Sequence, residues 1–114
     1  METQTAMAAL TGLAHDTRLA LFRLLVPAGD KGLAAGDLGA RLKLPPATLS
    51  FHLKELRHAG LVSQRRQGRA IYYAADYAAM DALIAYLTEN CCQGASCAPD
   101  PASPRPHKTR SRRA

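Results

Sequence analysis

Two short helical patterns joined by a tight turn constrain the fold of this chain more than any other feature. Leu38 and Leu42 lie one turn apart in a short helix predicted over Ala35–Leu42. Residues 43–46 form the turn, and a proline favours the start of the helix that follows because its missing N–H has no partner there anyway. We expect the helix after the turn to end at Gly60, since glycine readily takes the left-handed conformation that closes a helix.

Two short strands come directly after this helix pair. They are predicted over residues 61–66 and 70–74, and only Gln67, Gly68 and Arg69 separate them, which is the pattern of a β-hairpin with a basic tip. The sequence therefore predicts a mainly α fold with a small β-hairpin. We expect a winged helix-turn-helix with about five helices plus a two-stranded wing.

Two helices are predicted before this unit. The first covers residues 5–13 and has one apolar stripe at spacings of three residues, formed by Met7, Leu10 and Leu13. This stripe needs a partner surface. Asp16 is a good N-terminal cap for the second helix, which is apolar on most sides and is predicted to lie at the centre of the fold.

A fifth helix is predicted to open at Asp76 or Tyr77, after the hairpin. Its apolar residues fall at i, i+3, i+4 and i+7, the spacing of one helix face: Met80, Leu83, Ile84 and Leu87. We expect Cys91 to continue the same stripe by one further turn.

The chain divides into one folded unit, residues 1–97, and a tail, residues 98–114. A length of 114 residues is enough for one domain. The tail is polar and contains four prolines, so it is predicted to be disordered. Aromatic residues make up only 5% of the chain, and the core is therefore expected to consist mainly of Leu, Ala and Val. Such a small domain has a thin margin of stability, which burial in a dimer would raise.

The net charge of +6 is concentrated in two zones. Residues 48–69 contain five basic residues and one acidic residue, a local charge of +4, and residues 98–114 have the same balance. Two basic zones on a small chain indicate a polyanionic partner. A basic tail by itself is more often a solubilising extension.

The helix after the tight turn has one face for the core and one for a partner. Leu49, Leu53 and Leu56 cluster within about 60° on a helical wheel and are predicted to face the core. Phe51 then points outward, where folding does not explain an aromatic ring. It is either a harmless exposed side chain or, as we favour, a contact for thymine methyl groups in a DNA major groove. His52 lies nearer the core edge and is expected to hydrogen-bond within the protein, contact a phosphate, or do both.

We therefore predict a DNA-binding surface made of this helix and the wing. Its residues are Ala47, Thr48, Ser50, Phe51, His52, Lys54 and Arg57 in the helix and Arg65, Arg66, Gln67 and Arg69 in the wing. Phosphate contacts supply much of such affinity, so binding is expected to weaken steeply as salt rises. A merely solvated charged loop is the alternative interpretation of the wing.

Three cysteines, Cys91, Cys92 and Cys97, lie within seven residues of one another. The residues before Cys97 are small, so the chain can fold back and bring three sulfurs together. Soft thiolates select soft ions, and three sulfurs without a fourth ligand suit an ion with three bonds and a lone pair, such as trivalent arsenic or antimony. Zinc prefers four ligands, and no nearby His or acid supplies the fourth. Incidental exposed thiols are the alternative.

Membrane proteins and enzymes are not favoured by the sequence. No window approaches the roughly 18 apolar residues that span a bilayer, and no charged leader precedes an apolar run, so a cytoplasmic protein without a membrane partner is expected. Reducing conditions there disfavour a disulfide framework. The sequence shows no phosphate-binding loop, nucleophile motif or paired acid and base, and we therefore do not expect an enzyme such as a thiol reductase.

Residues 33–73 resemble the winged-helix core of the ArsR/SmtB family of metal-responsive transcriptional repressors. The matching elements are His15-Asp16-Thr17-Arg18-Leu19, Ser50-Phe51-His52-Leu53, the AGLV sequence at positions 59–62, and Gly68-Arg69. The resemblance extends from about residue 5 to residue 97. It implies a homodimer, joined by the first and last helices, that binds double-stranded operator DNA as apo-protein and releases it when an inducer binds.

The family's two familiar sensor sites do not match this sequence. Several arsenic sensors of the family carry cysteines in the third helix, and zinc sensors often use His and acidic ligands on the last helix. Here Ala35–Leu42 contains no Cys and residues 77–89 contain no His. The cluster instead resembles the subgroup with cysteines just beyond the last helix. It implies arsenite or antimonite as inducer at Cys91, Cys92 and Cys97, with a redox- or zinc-responsive repressor using the same cysteines as the alternative.

Overall fold

The computed structural model describes residues 1–94 and folds them into five α-helices and a small antiparallel sheet. The elements are α1 (Thr3–Leu13), α2 (Asp16–Leu25), β1 (Leu33–Ala34), α3 (Ala35–Leu42), α4 (Pro46–His58), β2 (Val62–Gln67), β3 (Ala70–Ala75) and α5 (Tyr77–Leu87). A 3-10 turn at Val26–Ala28 follows α2, and a second one at Cys91–Gly94 follows α5. The predicted winged helix-turn-helix fold is confirmed. The predicted tail and Cys97 lie outside the described residues.

The helix ends follow local hydrogen bonding. At α2 the cap is His15, whose Nδ1 accepts the backbone N–H of Thr17 at 3.1 Å, and the predicted cap Asp16 is instead the first helical residue. At α5, Asp76 Oδ1 accepts the N–H of Ala79 at 3.0 Å, the usual role of an acidic N-terminal cap. Gly60 has φ of 80°, so the glycine after α4 takes the predicted left-handed conformation.

The sheet has one strand more than the predicted wing. In the hairpin, β2 pairs with β3 in a register that runs from Val62 opposite Ala75 to Gln67 opposite Ala70. Strand β1 pairs with the other side of β3, so the strand order is β1-β3-β2. A two-residue strand has no period that a sequence pattern could show, which is why β1 was missed. Gly32, directly before it, has φ of 69°, and a Cβ there would lie 1.9 Å from the carbonyl oxygen of Tyr73. This close approach requires glycine.

The core lies between α2, α3, α4 and the hairpin. Its largest fully buried side chains are six leucines: Leu21, Leu25, Leu38, Leu53, Leu56 and Leu61. The predicted central position of α2 agrees with its packing against α1, α4 and β3. The inner face of α4 consists of Leu49, Leu53 and Leu56, as the helical wheel predicted.

The first helix packs through its smallest residues. Ala6, Ala9 and Gly12 are buried, and a Cβ on Gly12 would lie 2.6 Å from the Cβ of Ala59, just after α4. Because this contact is so close, α1 sits directly against the end of α4. In the predicted stripe of α1, Met7 and Leu10 are exposed, whereas Leu13 is partly buried and packs against the core.

Candidate nucleic-acid interface and cysteine pair

The outward side of α4 carries the side chains predicted to contact DNA. Since its three leucines face the core, the opposite side is fixed, and Ala47, Thr48, Ser50, Lys54 and Arg57 are all exposed. Phe51 is 56% exposed and stands among them. An apolar ring surrounded by hydroxyl and ammonium groups matches what a major groove presents, thymine methyl groups beside base edges and phosphates.

His52 differs from the other predicted α4 residues because it is buried, with 7% of its surface exposed. Its Nδ1 lies 3.4 Å from a terminal nitrogen of Arg18, and its ring is 4.6 Å from that of His15. The Phe51 ring meets it edge-on at 5.3 Å. The structure thus places His52 behind the outward face, against α2, in the internal role that the sequence allowed.

The hairpin carries a second group of exposed basic residues. Arg65, Arg66, Gln67 and Arg69 are all exposed. Arg65 donates to the carbonyl oxygen of Lys31 at 3.1 Å and to Gln67 Oε1 at 3.3 Å, and its guanidinium lies 4.8 Å from the centre of the Tyr72 ring. These contacts orient Arg65, whose positively charged guanidinium lies over the aromatic face of Tyr72.

The helix and the wing are directly connected. Arg57, near the end of α4, donates a hydrogen bond to Gln64 Oε1 in β2. This hydrogen bond joins the two groups of residues predicted to bind DNA, so the end of α4 and strand β2 contribute to one exposed region. Gln64, Lys31 and Tyr72 were not predicted to take part in it, and only the register of the hairpin and the position of β1 could have identified them.

The cysteines do not continue the stripe of α5, so that prediction is wrong. The helix ends at Leu87, and the hydroxyl of Thr88 donates to the carbonyl oxygen of Ile84 at 2.8 Å. Asn90 then takes a left-handed conformation with φ of 58°, which breaks the helical path before Cys91. Thr and Asn both offer the backbone alternatives to helix, and here they turn the chain away.

The turn at Cys91–Gly94 brings two of the three predicted ligands together. Cys91 and Cys92 are exposed, and their sulfurs lie 3.6 Å apart. Cys92 is disulfide-bonded in the structure, which corrects the expectation of reduced cysteines, so both sulfurs become available to one ion only after reduction. Within residues 1–94 no three His, Cys, Asp or Glu side chains gather around one point. The third predicted ligand, Cys97, lies outside the described residues.

The first and last helices both expose large apolar side chains. Met7 and Leu10 of α1 and Ile84 and Leu87 of α5 are large exposed hydrophobic residues. The hydroxyls of Thr3 and Tyr86 lie 2.7 Å apart and join the start of α1 to the end of α5. We call these four exposed residues the α1/α5 face. In residues 1–94, no helix has both the length and the apolar character that crossing a membrane requires.

Comparisons with known proteins agree with this architecture. Residues 13–65 match the model of a helix-turn-helix domain family. The chain is similar to the transcriptional activator HlyU of Vibrio cholerae, with 34% identity over 95 residues that cover 82% of this chain and 85% of that protein. The arsenic resistance transcriptional regulator ArsR1 of Pseudomonas putida is 38% identical over 61 residues, which cover 54% of this chain and 46% of that protein.

Solved structures give the same result. Vibrio cholerae HlyU superposes with a TM-score of 0.63 at 33% identity, covering 82% of this chain and 100% of that one. Its reduced form superposes with a TM-score of 0.62 at 32% identity, over 80% and 93% of the two chains. The homodimeric winged helix-turn-helix DNA-binding domain of Mb0332 from Mycobacterium bovis has a TM-score of 0.60 at 25% identity, over 77% and 82%.

Proposed function

The chain belongs to the ArsR family of helix-turn-helix transcriptional regulators, and from this membership we propose that it is a homodimeric repressor whose operator complex is released by trivalent arsenic. The inducer is arsenite or antimonite, held by the thiolates of Cys91, Cys92 and Cys97. The observation that supports this choice of inducer is the closeness of two exposed sulfurs, 3.6 Å apart directly after α5, which can act together once the disulfide bond of Cys92 is reduced. The similarity to an arsenic resistance regulator supports it.

DNA binding uses the surface formed by α4 and the wing. Phe51, Ser50 and Lys54 enter the major groove, while Arg65, Arg66 and Arg69 bind the backbone or the minor groove. The exposed side of α4 and its contact with the wing through Arg57 and Gln64 support this arrangement. Half-site spacing follows from the symmetry of a dimer, because each protomer presents one copy of α4.

Dimerisation covers the α1/α5 face. Exposed apolar residues on two neighbouring helices mark a surface that a second copy can bury. We expect Ile84→Asp to shift the protein to monomers in analytical ultracentrifugation, because a buried unpaired carboxylate is costly. Leu19→Asp, at an exposed leucine of α2, is the matched control and leaves the dimer intact. A dimer in the Ile84 variant would contradict this interface.

Release follows from the position of the cysteines beside the dimer. Closing three sulfurs around one ion reshapes the turn after Leu87, and Leu87 itself belongs to the α1/α5 face. A shift there changes the angle between the two copies of α4 and lowers the affinity for the operator. A coupling free energy of about 1 to 3 kcal/mol is typical of allostery and is enough to empty many operators.

The test uses labelled DNA from upstream of the protein's own gene, which is titrated with the reduced protein. Arsenite, antimonite, zinc and hydrogen peroxide are then added separately to the complex. We expect the two metalloids to dissociate it. Serine at Cys91, Cys92 or Cys97 preserves DNA binding and blocks release, whereas Gln93→Asn, in the same turn but without a thiol, is released normally. Normal release of all three serine variants refutes the proposed site.

A redox-responsive repressor is the second candidate. Cys92 is disulfide-bonded in the structure, and a related protein, HlyU, has been described in a reduced form. Hydrogen peroxide would take two electrons and two protons from a pair of thiols, leaving one disulfide and two water molecules. Release by peroxide under conditions where arsenite has no effect would favour this function. Release by zinc alone would favour a zinc sensor.

A further inference from the structure

A buried histidine links the DNA-binding helix to the helix that carries half of the α1/α5 face. His52 belongs to α4, next to Phe51, and only 7% of it is exposed. Its Nδ1 lies 3.4 Å from a terminal nitrogen of Arg18 in α2. Arginine can only donate hydrogen bonds, so Nδ1 of His52 has to be the acceptor and the imidazole has to be neutral.

Arg18 makes a second contact in the opposite direction. Its Nε donates to the carbonyl oxygen of Gly12, in the last turn of α1, at 2.7 Å. One side chain thus bridges the end of α1 and the middle of α4. The two helices also touch directly at Gly12 and Ala59, where no room remains for another methyl group. A shift of α1 is therefore transmitted to α4 by both contacts.

We infer that Arg18 and His52 are positioning residues, which set α4 at the angle that DNA binding needs, and that protonation of His52 breaks this link. The inference rests on the proposed DNA-binding function of α4. The burial of His52 places its side chain behind the outward side of α4. Arg18 and His52 act through Phe51, whose ring rests edge-on against His52 at 5.3 Å.

The surroundings of His52 favour its neutral form. Burial lowers the pKa of His52 below its usual 6.5, and the neighbouring His15 and Arg18 lower it further, while Glu55 of α4 raises it. When a proton does reach Nδ1, an imidazolium faces a guanidinium and the hydrogen bond becomes a repulsion. Operator affinity is therefore expected to be full at neutral pH and to fall as the pH drops below 6.5 through the folded-state pKa.

Two variants separate the hydrogen bond from the titration. His52→Asn places an amide oxygen where Nδ1 stands, so the variant accepts from Arg18 and does not titrate. Arg18→Met keeps an apolar stem but removes both donors. Two histidine variants serve as controls. Asparagine at His15 preserves a good helix cap, and His58→Asn changes an exposed histidine of α4.

The first measurement uses the free protein. In an NMR titration we expect the backbone amides of Leu13 and Phe51 to shift with one common midpoint below pH 6.5. The His52 variant loses this step, while the His58 variant keeps its midpoint. The His15 variant keeps the step at a higher pH, because a neighbour that lowers the pKa of His52 is gone. Thermal melts followed by circular dichroism verify that each variant is folded.

The second measurement is operator affinity against pH, with labelled DNA from upstream of the protein's own gene. We expect the wild type to lose at least about fivefold in affinity across the same range, the lower end of typical couplings. The His52 variant stays constant, and Arg18→Met binds at least about fivefold more weakly at neutral pH. An unchanged pH step in the His52 variant overturns the inference. If the wild type binds no DNA, the proposed function fails, and the amide titration alone still decides whether His52 couples α1 to α4.

Discussion

The recognition helix α4 and the turn after α5 are both exposed to solvent on one side, but they are held in place differently. Every turn of α4 after the first contributes a buried residue, from Leu49 through Leu53 to Leu56. Within the described chain, α5 contributes one buried residue, Leu83, and three of the residues at 90–93 have a positive φ. The proposed DNA-binding surface is therefore preorganised by the core, whereas Cys91 and Cys92 lie on a backbone that the core does not hold.

This difference suits the two proposed functions. A surface that reads base edges gains from a fixed geometry, because ordering it on binding would cost entropy. A site that senses an ion has to change shape when the ion binds, and elements that move come from the less stable parts of a structure. The left-handed residues Asn90, Cys92 and Gln93 are non-glycine residues in a disfavoured conformation, so another arrangement of this turn is within reach.

The largest expected effect breaks the support of α4. Leu53→Ala removes a side chain that is almost fully buried and leaves a cavity, which lowers the free energy of unfolding by about 2 to 5 kcal/mol. Urea unfolding measures the loss. Lys54→Ala, one position further along on the exposed side, stays within about 0.5 kcal/mol of the wild type. A small effect at Leu53 would mean that the core does not hold this helix.

The next effect concerns the contact between α1 and α4. Gly12→Ala puts a methyl group 2.6 Å from the Cβ of Ala59, so one helix has to move and the free energy of unfolding falls by about 1 to 3 kcal/mol. Gly36→Ala is the matched control in α3, where the new methyl group meets nothing within 4 Å. It raises stability by about 0.5 to 1 kcal/mol, because alanine is the better helix former. Equal effects in both variants would contradict the close packing of α1.

Phe51 tests the outer side of the same helix. Because the ring is 56% exposed, Phe51→Ala leaves the fold intact and weakens operator binding by about 1 to 3 kcal/mol, the range of one good base contact. The loss is confined to the operator, whereas Arg66→Ala weakens binding to all DNA sequences and reduces the salt dependence. Fluorescence anisotropy on operator and unrelated DNA distinguishes the two. A uniform loss in the Phe51 variant would show that the ring reads no base.

The smallest expected effect on stability is at the cysteines. Cys91→Ser and Cys92→Ser change exposed side chains, so in the reduced protein without metalloid the free energy of unfolding stays within about 0.5 kcal/mol of the wild type. Reduction is needed for this comparison because Cys92 is otherwise disulfide-bonded. Thermal denaturation with added arsenite then separates the proteins, since ligand binding stabilises only the chain that still binds it. A serine variant that is strongly destabilised without metalloid would show that the turn is held by the fold after all.

Most of the architecture could be predicted from local patterns. The bounds of α3, the core face of α4 and the hairpin follow from leucine spacing, from the turn residues and from the short separation of the two strands. The α1 prediction identified the helix but not its buried side, because Ala6, Ala9 and Gly12 carry little hydrophobic signal. Their burial depends on Ala59, a residue far along the chain.

The functional surface was predicted in part for a similar reason. The outward side of α4 follows from the helical periodicity of its leucines, and the residues that the helical wheel predicts on that side are exposed in the structure. In the bridge from Gly12 through Arg18 to His52, the last two residues are 34 positions apart in the sequence. No local pattern indicates a contact over such a distance. The end of α5 before Cys91 depends on side-chain hydrogen bonds of Thr88, which compete with an apolar spacing that would otherwise continue.

The pairing of β1 with β3 has a consequence for the DNA itself. Through β1 the hairpin is joined to the start of α3, and Arg65 adds a bond to Lys31 in the loop before it. The hairpin is therefore held at a set angle to the helix pair, and a duplex that contacts both the hairpin and α4 has to match that angle. We expect the preferred operators to be distinguished partly by easily kinked base steps at positions that no side chain touches.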